Sequence, residues 1–162
     1  MLNSKGKGMN NAWDSIRHYG PLAARVLLAQ LFIVSGCGKI GGFAKTAAYM
    51  AGMGLPLSNV LLTLTIALEV GGGLLLIAGW QARWIATAFF AFTLLTAVIF
   101  HPFWHTDAAS FGAQLNNFMK NLAIMGGMLY VMAYGAGPLS LDARRVTSNA
   151  APPGHAKRRH GK

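Results

Sequence analysis

One acid stands in the middle of a long apolar run. Glu69 lies in "TIALEVGGGLLLIAG", residues 65–79, and is the only charge between Lys45 and Arg83. An ionised carboxylate facing hydrocarbon costs at least about 2.5 kcal/mol, so such a group turns inward and finds a partner. Two roles suit it: an acid that carries a proton or orients a ligand, or one half of a static ion pair that fixes helix packing. The residues alone leave both open. Arg25 and Lys39 are the first candidate partners. Fourteen residues apart on a helix, they share a face within roughly 40° and stand about 21 Å apart along the axis, with Glu69 between them in depth. Lys120 and Asn121 add further donors. Glycines 71–73 follow Glu69 directly, which suits a place where a neighbouring backbone or a flat ligand must come close.

Weaker constellations surround this one. "HPFWH" sets His101 and His105 four apart, a spacing that on a helix can hold a metal. Pro102 interrupts it and two histidines are too few for a closed site, so an interfacial cluster of aromatics and histidines is the better reading. Met125, Met128 and Met132 form a helical stripe that reads as packing. Phosphate loops, dinucleotide fingerprints and nucleophile elbows are absent from the sequence. Cys37 is the single cysteine, which rules out an internal disulfide or a CxxC redox pair, so redox chemistry would need a bound cofactor or a partner.

The elements that must position these groups are membrane helices. The 162 residues are 54% hydrophobic and 11% charged, and the formal charge of +10 is confined largely to the ends, which excludes a disordered polycation. The apolar residues fall in blocks long enough to cross a hydrocarbon layer of roughly 30 Å. The expected fold is an all-α integral membrane four-helix bundle, with spans at about 21–40, 56–79, 82–101 and 117–137. Between the first two, Phe43, Ala47 and Met50 are spaced for a short helix lying at the interface, stopped by Gly54 and Pro56. Residues 102–116 read as a loop with Trp104 and Phe111 as interfacial anchors. Residues 1–20 are expected to be a basic tail, 21–145 the membrane domain, and 146–162 a disordered basic tail. Lys and Arg concentrate in both tails and the turn at Arg83, so both termini are expected in the cytoplasm. The terminal cluster "APPGHAKRRHGK" is read as orienting the chain or attracting anionic lipid rather than binding nucleic acid. "VSGC", residues 34–37, has the form of a lipoprotein cleavage site, but the long polar leader, the further spans and the loss of Arg25 count against lipidation of Cys37.

In order along the chain, "FIVSGCGKIGGF", "TAAYMAGMGLP", "LEVGGGLLLIAG", "HPFW", "KNLAIMGG" and "SLDARR" resemble the DoxX family of small bacterial inner-membrane proteins, over roughly residues 20–145. The resemblance implies a four-helix membrane protein related to the DoxD-type subunit of thiosulfate:quinone oxidoreductase and linked in some bacteria to membrane redox or oxidative-stress complexes. It maps the family's recurring basic, glycine and acidic positions onto Arg25, Gly36, Lys39, Glu69, Gly72, Lys120 and Asn121. The expected function is therefore an accessory or anchoring subunit of a membrane redox complex, in contact with quinone near Glu69 and with lipid and redox proteins as partners. The alternative is a non-enzymatic scaffold or small transporter. Glu69, Gln30 and a few Ser and Thr are a sparse polar path for a hydrophilic substrate.

Overall fold

The computed structural model describes residues 3–149, with side chains from Asn11 to Ser148. All its regular elements are helices: α1 (Asn3–Gly41), α2 (Phe43–Gly52), α3 (Ser58–Ile66), a π-helical turn (Ala67–Gly72), α4 (Gly73–Ala78), α5 (Ala82–Phe100), a 3₁₀ turn (Phe103–His105), α6 (Ala108–Tyr134) and α7 (Leu141–Asn149). α3, the π turn and α4 run on as one rod, Ser58–Ala78. Three helical segments, Asn11–Gly41, Ser58–Ala78 and Ala82–His105, are long and apolar enough to cross a membrane. α6 is as long, at 27 residues. Its first half carries Gln114, Asn116, Asn117, Lys120 and Asn121, which dilute its hydropathy.

Three boundaries differ from the sequence reading. α1 does not begin at Pro21 but runs through it from Asn3. A proline inside a helix removes one backbone donor, and the turns on either side carry the helix across. The expected loop at 102–116 is helical from Ala108, because Asp107 caps that helix: its carboxylate accepts from the Ser110 backbone N–H at 2.7 Å. The expected disordered tail is helical over 146–149, within α7, and the remainder of that tail lies outside the described residues. Ser140 starts α7 by accepting from the Ala143 N–H at 3.1 Å.

α1 presents Arg25, Ala29, Phe32 and Gly36 inward, at the three- and four-residue spacing of one helix face. That face packs on the π turn and α4, while α5 and α6 make the most extensive helix pair. The central cluster joins Ala29 and Phe32 to Leu76, Phe89 and Met128, and the Phe32 and Phe89 rings stack at 4.0 Å. Met128 thus serves packing, as its stripe suggested. α2 forms where the spacing placed it, with Ala47 and Met50 buried against Leu62 and beside Phe100.

One end of the bundle is clasped by polar groups. The α4–α5 turn puts Gln81 in the left-handed region at φ 47°, which a side chain disfavours by about 1–2 kcal/mol. Asp142 offsets that cost: its carboxylate accepts from the backbone N–H of Gln81 at 2.8 Å and of Ala82 at 2.9 Å, a negative charge on the start of α5. Beneath it, Arg25 is 1% exposed and donates to the carbonyls of Leu76 (3.1 Å), Ile77 (2.7 Å) and Leu139. At the end of α4 the guanidinium bonds the Ile77 carbonyl and shares that of Leu76 with the Gly79 backbone N–H, which lies at 3.1 Å. Lysine keeps the charge but lacks the planar fork. R25K is therefore expected to lose about 2 kcal/mol of stability, and R25M more, read as thermal unfolding in mild detergent.

Candidate functional site

Glu69 sits on the π turn and is 3% exposed. Lys39, near the end of α1, donates to both carboxylate oxygens, at 2.9 Å to Oε1 and 2.8 Å to Oε2. Its ammonium also donates to Ser35 Oγ at 2.6 Å, and the Ser35 hydroxyl donates to Glu69 Oε1 at 3.2 Å. A closed triangle of lysine, serine and glutamate results. It is the one salt bridge among the described residues. Ser35 was not singled out in the sequence, although its place four residues before Lys39 puts both on one helix face.

Close helix approach makes the triangle possible. A Cβ at Gly36 would stand 2.7 Å from Val70 Cγ2 and 3.0 Å from Glu69 Cβ, and one at Gly73 would stand 2.6 Å from Ile33 Cγ1. Only glycine lets the two backbones come this near. The π turn belongs to the same arrangement, since such turns inside α-helices often mark functional positions.

Beside the triangle lies a cavity of about 410 Å³. Its polar lining includes Ser35, Lys39, Glu69, His101, Lys120 and Asn121 as well as threonine hydroxyls, and its apolar walls include Phe32, Tyr49, Phe92 and Phe100. The fold therefore brings Lys39, Glu69, Lys120 and Asn121 to one space from α1, the π turn and α6. Lys120 is exposed and donates to Asn117 Oδ1 at 3.1 Å, taking no part in the ion pair. Asn121 is 9% exposed.

Arg25 is the exception among the basic candidates. It shares the inward face of α1 as its spacing implied, but its hydrogen bonds go to the carbonyls of the clasp, away from Glu69 and the cavity. Its role is to end α4 and hold the segment before α7. The histidines also part. His101 lines the cavity and pairs its Nδ1 with Gln114 Oε1 at 2.9 Å, whereas exposed His105 lies against Trp104. Phe103, Trp104 and Phe118 meet edge to face around them, an aromatic cluster of the kind expected at an interface. Among the described residues no three His, Cys, Asp or Glu side chains gather as a metal site. Cys37 is an exposed free thiol within α1.

Long apolar helices, a carboxylate buried against a lysine between two of them, and an adjoining mixed cavity define a helical membrane protein with an internal polar site. The DoxX family model matches residues 20–102. The chain belongs to the DoxX family. It is 44% identical over 125 residues to inner membrane protein YqjF of Escherichia coli K12, covering 76% of this chain and 89% of that protein. It is 36% identical over 123 residues to inner membrane protein YphA of the same organism, covering 76% and 88%. No solved structure matches it.

The two halves of the ion pair differ in burial, the Lys39 side chain being 25% exposed and that of Glu69 4%. Removing lysine strands a buried carboxylate, while removing the charge of glutamate leaves an ammonium that can reach outward. K39M is expected to cost about 3 kcal/mol and E69Q about 1 kcal/mol, with the double variant less destabilised than K39M alone. Thermal unfolding of the three variants in one detergent measures this order.

Proposed function

We propose that this protein is a four-span protein of the bacterial inner membrane that serves as an accessory or anchoring subunit of a membrane redox complex and contacts quinone in the cavity beside Glu69. α6 is the fourth span in this reading, supported by its length and by its packing along α5. α2 lies at the interface, and both termini face the cytoplasm, on the side that carries most of the Lys and Arg. The location follows from the apolar helices and from relatives named as inner membrane proteins. Thiol-specific labelling of single-cysteine variants in intact cells is expected to leave cysteines placed near residue 12 and near residue 148 unlabelled by a membrane-impermeant reagent, and to label one placed near residue 106.

The observation that carries the quinone reading is the cavity itself: space for a small molecule, walled by aromatic rings, with charged and amide groups converging at one side. Lys39 and Lys120 are the groups for a quinone oxygen, and Glu69 is the group for its proton. Quinone titrated into the purified protein in lipid nanodiscs is expected to bind saturably. K120M and E69Q should weaken that binding several-fold while the protein stays folded. Absence of saturable binding by the unmodified protein removes the quinone reading.

A second reading rests on a specific feature. Both oxygens of Glu69 are already occupied within the triangle, as a static pair requires. In that case the protein is a scaffold, and E69Q leaves partner binding intact so long as the bundle holds.

A further inference from the structure

Hydroxyl groups on helices ordinarily bond back to the carbonyl one turn earlier. Here Thr46, Thr63 and Thr87 do so, at 3.0, 2.9 and 2.9 Å from Gly42, Asn59 and Arg83. Thr93 does not. It is 2% exposed, and its Oγ1 is buried with no hydrogen-bond partner among the described residues. An orphaned buried hydroxyl costs about 1–3 kcal/mol, so its persistence in the middle of an apolar helix calls for a reason. Thr93 lines the cavity beside the triangle.

Two further neutral groups share its position. Thr65 on α3 and Asn121 on α6 line the same cavity, and neither side chain takes part in any of the hydrogen bonds of the described residues. Three helices thus bring three uncharged polar groups with spare hydrogen-bonding capacity to one space. The charged groups beside them are differently placed. Lys39, Glu69 and Ser35 satisfy one another, and the charges of the pair cancel.

We propose that Thr93, with Thr65 and Asn121, is the selecting wall of this cavity, and that it seats an oxygen atom of an uncharged, largely apolar molecule. The hydroxyls and the amide can donate to one carbonyl oxygen or accept from one hydroxyl. The aromatic walls suit an apolar body. Lys120 also lines the cavity as an exposed cation outside the pair, but Thr93 is 2% exposed and uncharged, and seating an oxygen on so buried a group costs far less desolvation for a ketone than for a carboxylate. The inference rests on the reading of this cavity as a ligand site, but it assigns recognition to the neutral wall rather than to the ion pair, and it does not require the ligand to be a quinone.

The test uses the full chain in nanodiscs, with empty nanodiscs as reference, and titrates three probes: 2-dodecanone, decylubiquinone and dodecanoate. The unmodified protein is expected to bind 2-dodecanone at least tenfold more tightly than dodecanoate. T93V should weaken ketone binding about tenfold, while T93S, which restores the hydroxyl, should stay within about twofold. T93V removes an unpaired buried hydroxyl, so its melting temperature should be unchanged or higher, which separates lost recognition from lost folding. Thr93-dependent binding of 2-dodecanone without binding of decylubiquinone supports the neutral wall and removes only the quinone. Equal binding of decylubiquinone or of ketone by T93V and the unmodified protein overturns the inference, and the quinone reading survives wherever decylubiquinone binds. Dodecanoate bound as tightly as the ketone also overturns it. Binding of no probe above empty nanodiscs, the result for a cavity that holds water alone, overturns both.

Discussion

A carboxylate among apolar helices has to be neutralised within reach of its own oxygens, and most of the architecture around Glu69 follows from that requirement. Lysine is the partner, and a lysine on a neighbouring helix reaches both oxygens at 2.8–2.9 Å only if the two backbones run close. Closeness in turn requires Gly36 on one side and Gly73 on the other, since a Cβ at either would overlap its neighbour. Ser35 then completes the set by bridging ammonium and carboxylate. Burying charges is expensive, and this grouping lowers the expense by giving the ammonium three acceptors and the carboxylate three hydrogen bonds.

The two cations on the inward stripe of α1, one buried and one half-buried, divide the work according to their chemistry. Arg25, with a planar fork of donors, faces a set of backbone carbonyls fixed by the end of a helix. Lys39, a compact charge on a flexible stem, meets a carboxylate and keeps part of its length exposed. Their positions on one helix stripe are alike, and the partners differ because α4 ends beside Arg25 whereas the π turn lies beside Lys39.

Much of this was legible in the residues. A lone acid in an apolar run has to turn inward, and the fourteen-residue spacing of Arg25 and Lys39 put both on the inner face of α1. Lys39 rather than Arg25 could not be chosen from spacing, because which cation meets Glu69 depends on where α4 stops and what docks there. That docking is made by Asp142, about sixty residues further along the chain than its donors, the backbone N–H groups of Gln81 and Ala82. The extent of α1 was hidden by Pro21, whose local rule says stop while the turns on either side sustain the helix. The start of α6 is obscured for a related reason: the residues after His101 have the composition of a loop, and Asp107 caps the helix that carries most of them. The unpartnered Thr93 was invisible, since a threonine in a helix ordinarily satisfies itself.

The π turn has a consequence for how the gene can vary. Such a turn accommodates one residue more than the α geometry on either side of it. Within Ala67–Gly72 the chain can lose a codon by rewinding to the ordinary pitch, with the flanking helices still presenting the same residues to their neighbours. Anywhere else along Ser58–Ala78 a single deletion swings everything beyond it through about 100°. The stretch that carries the acid is therefore the one place on this rod where length and orientation are uncoupled.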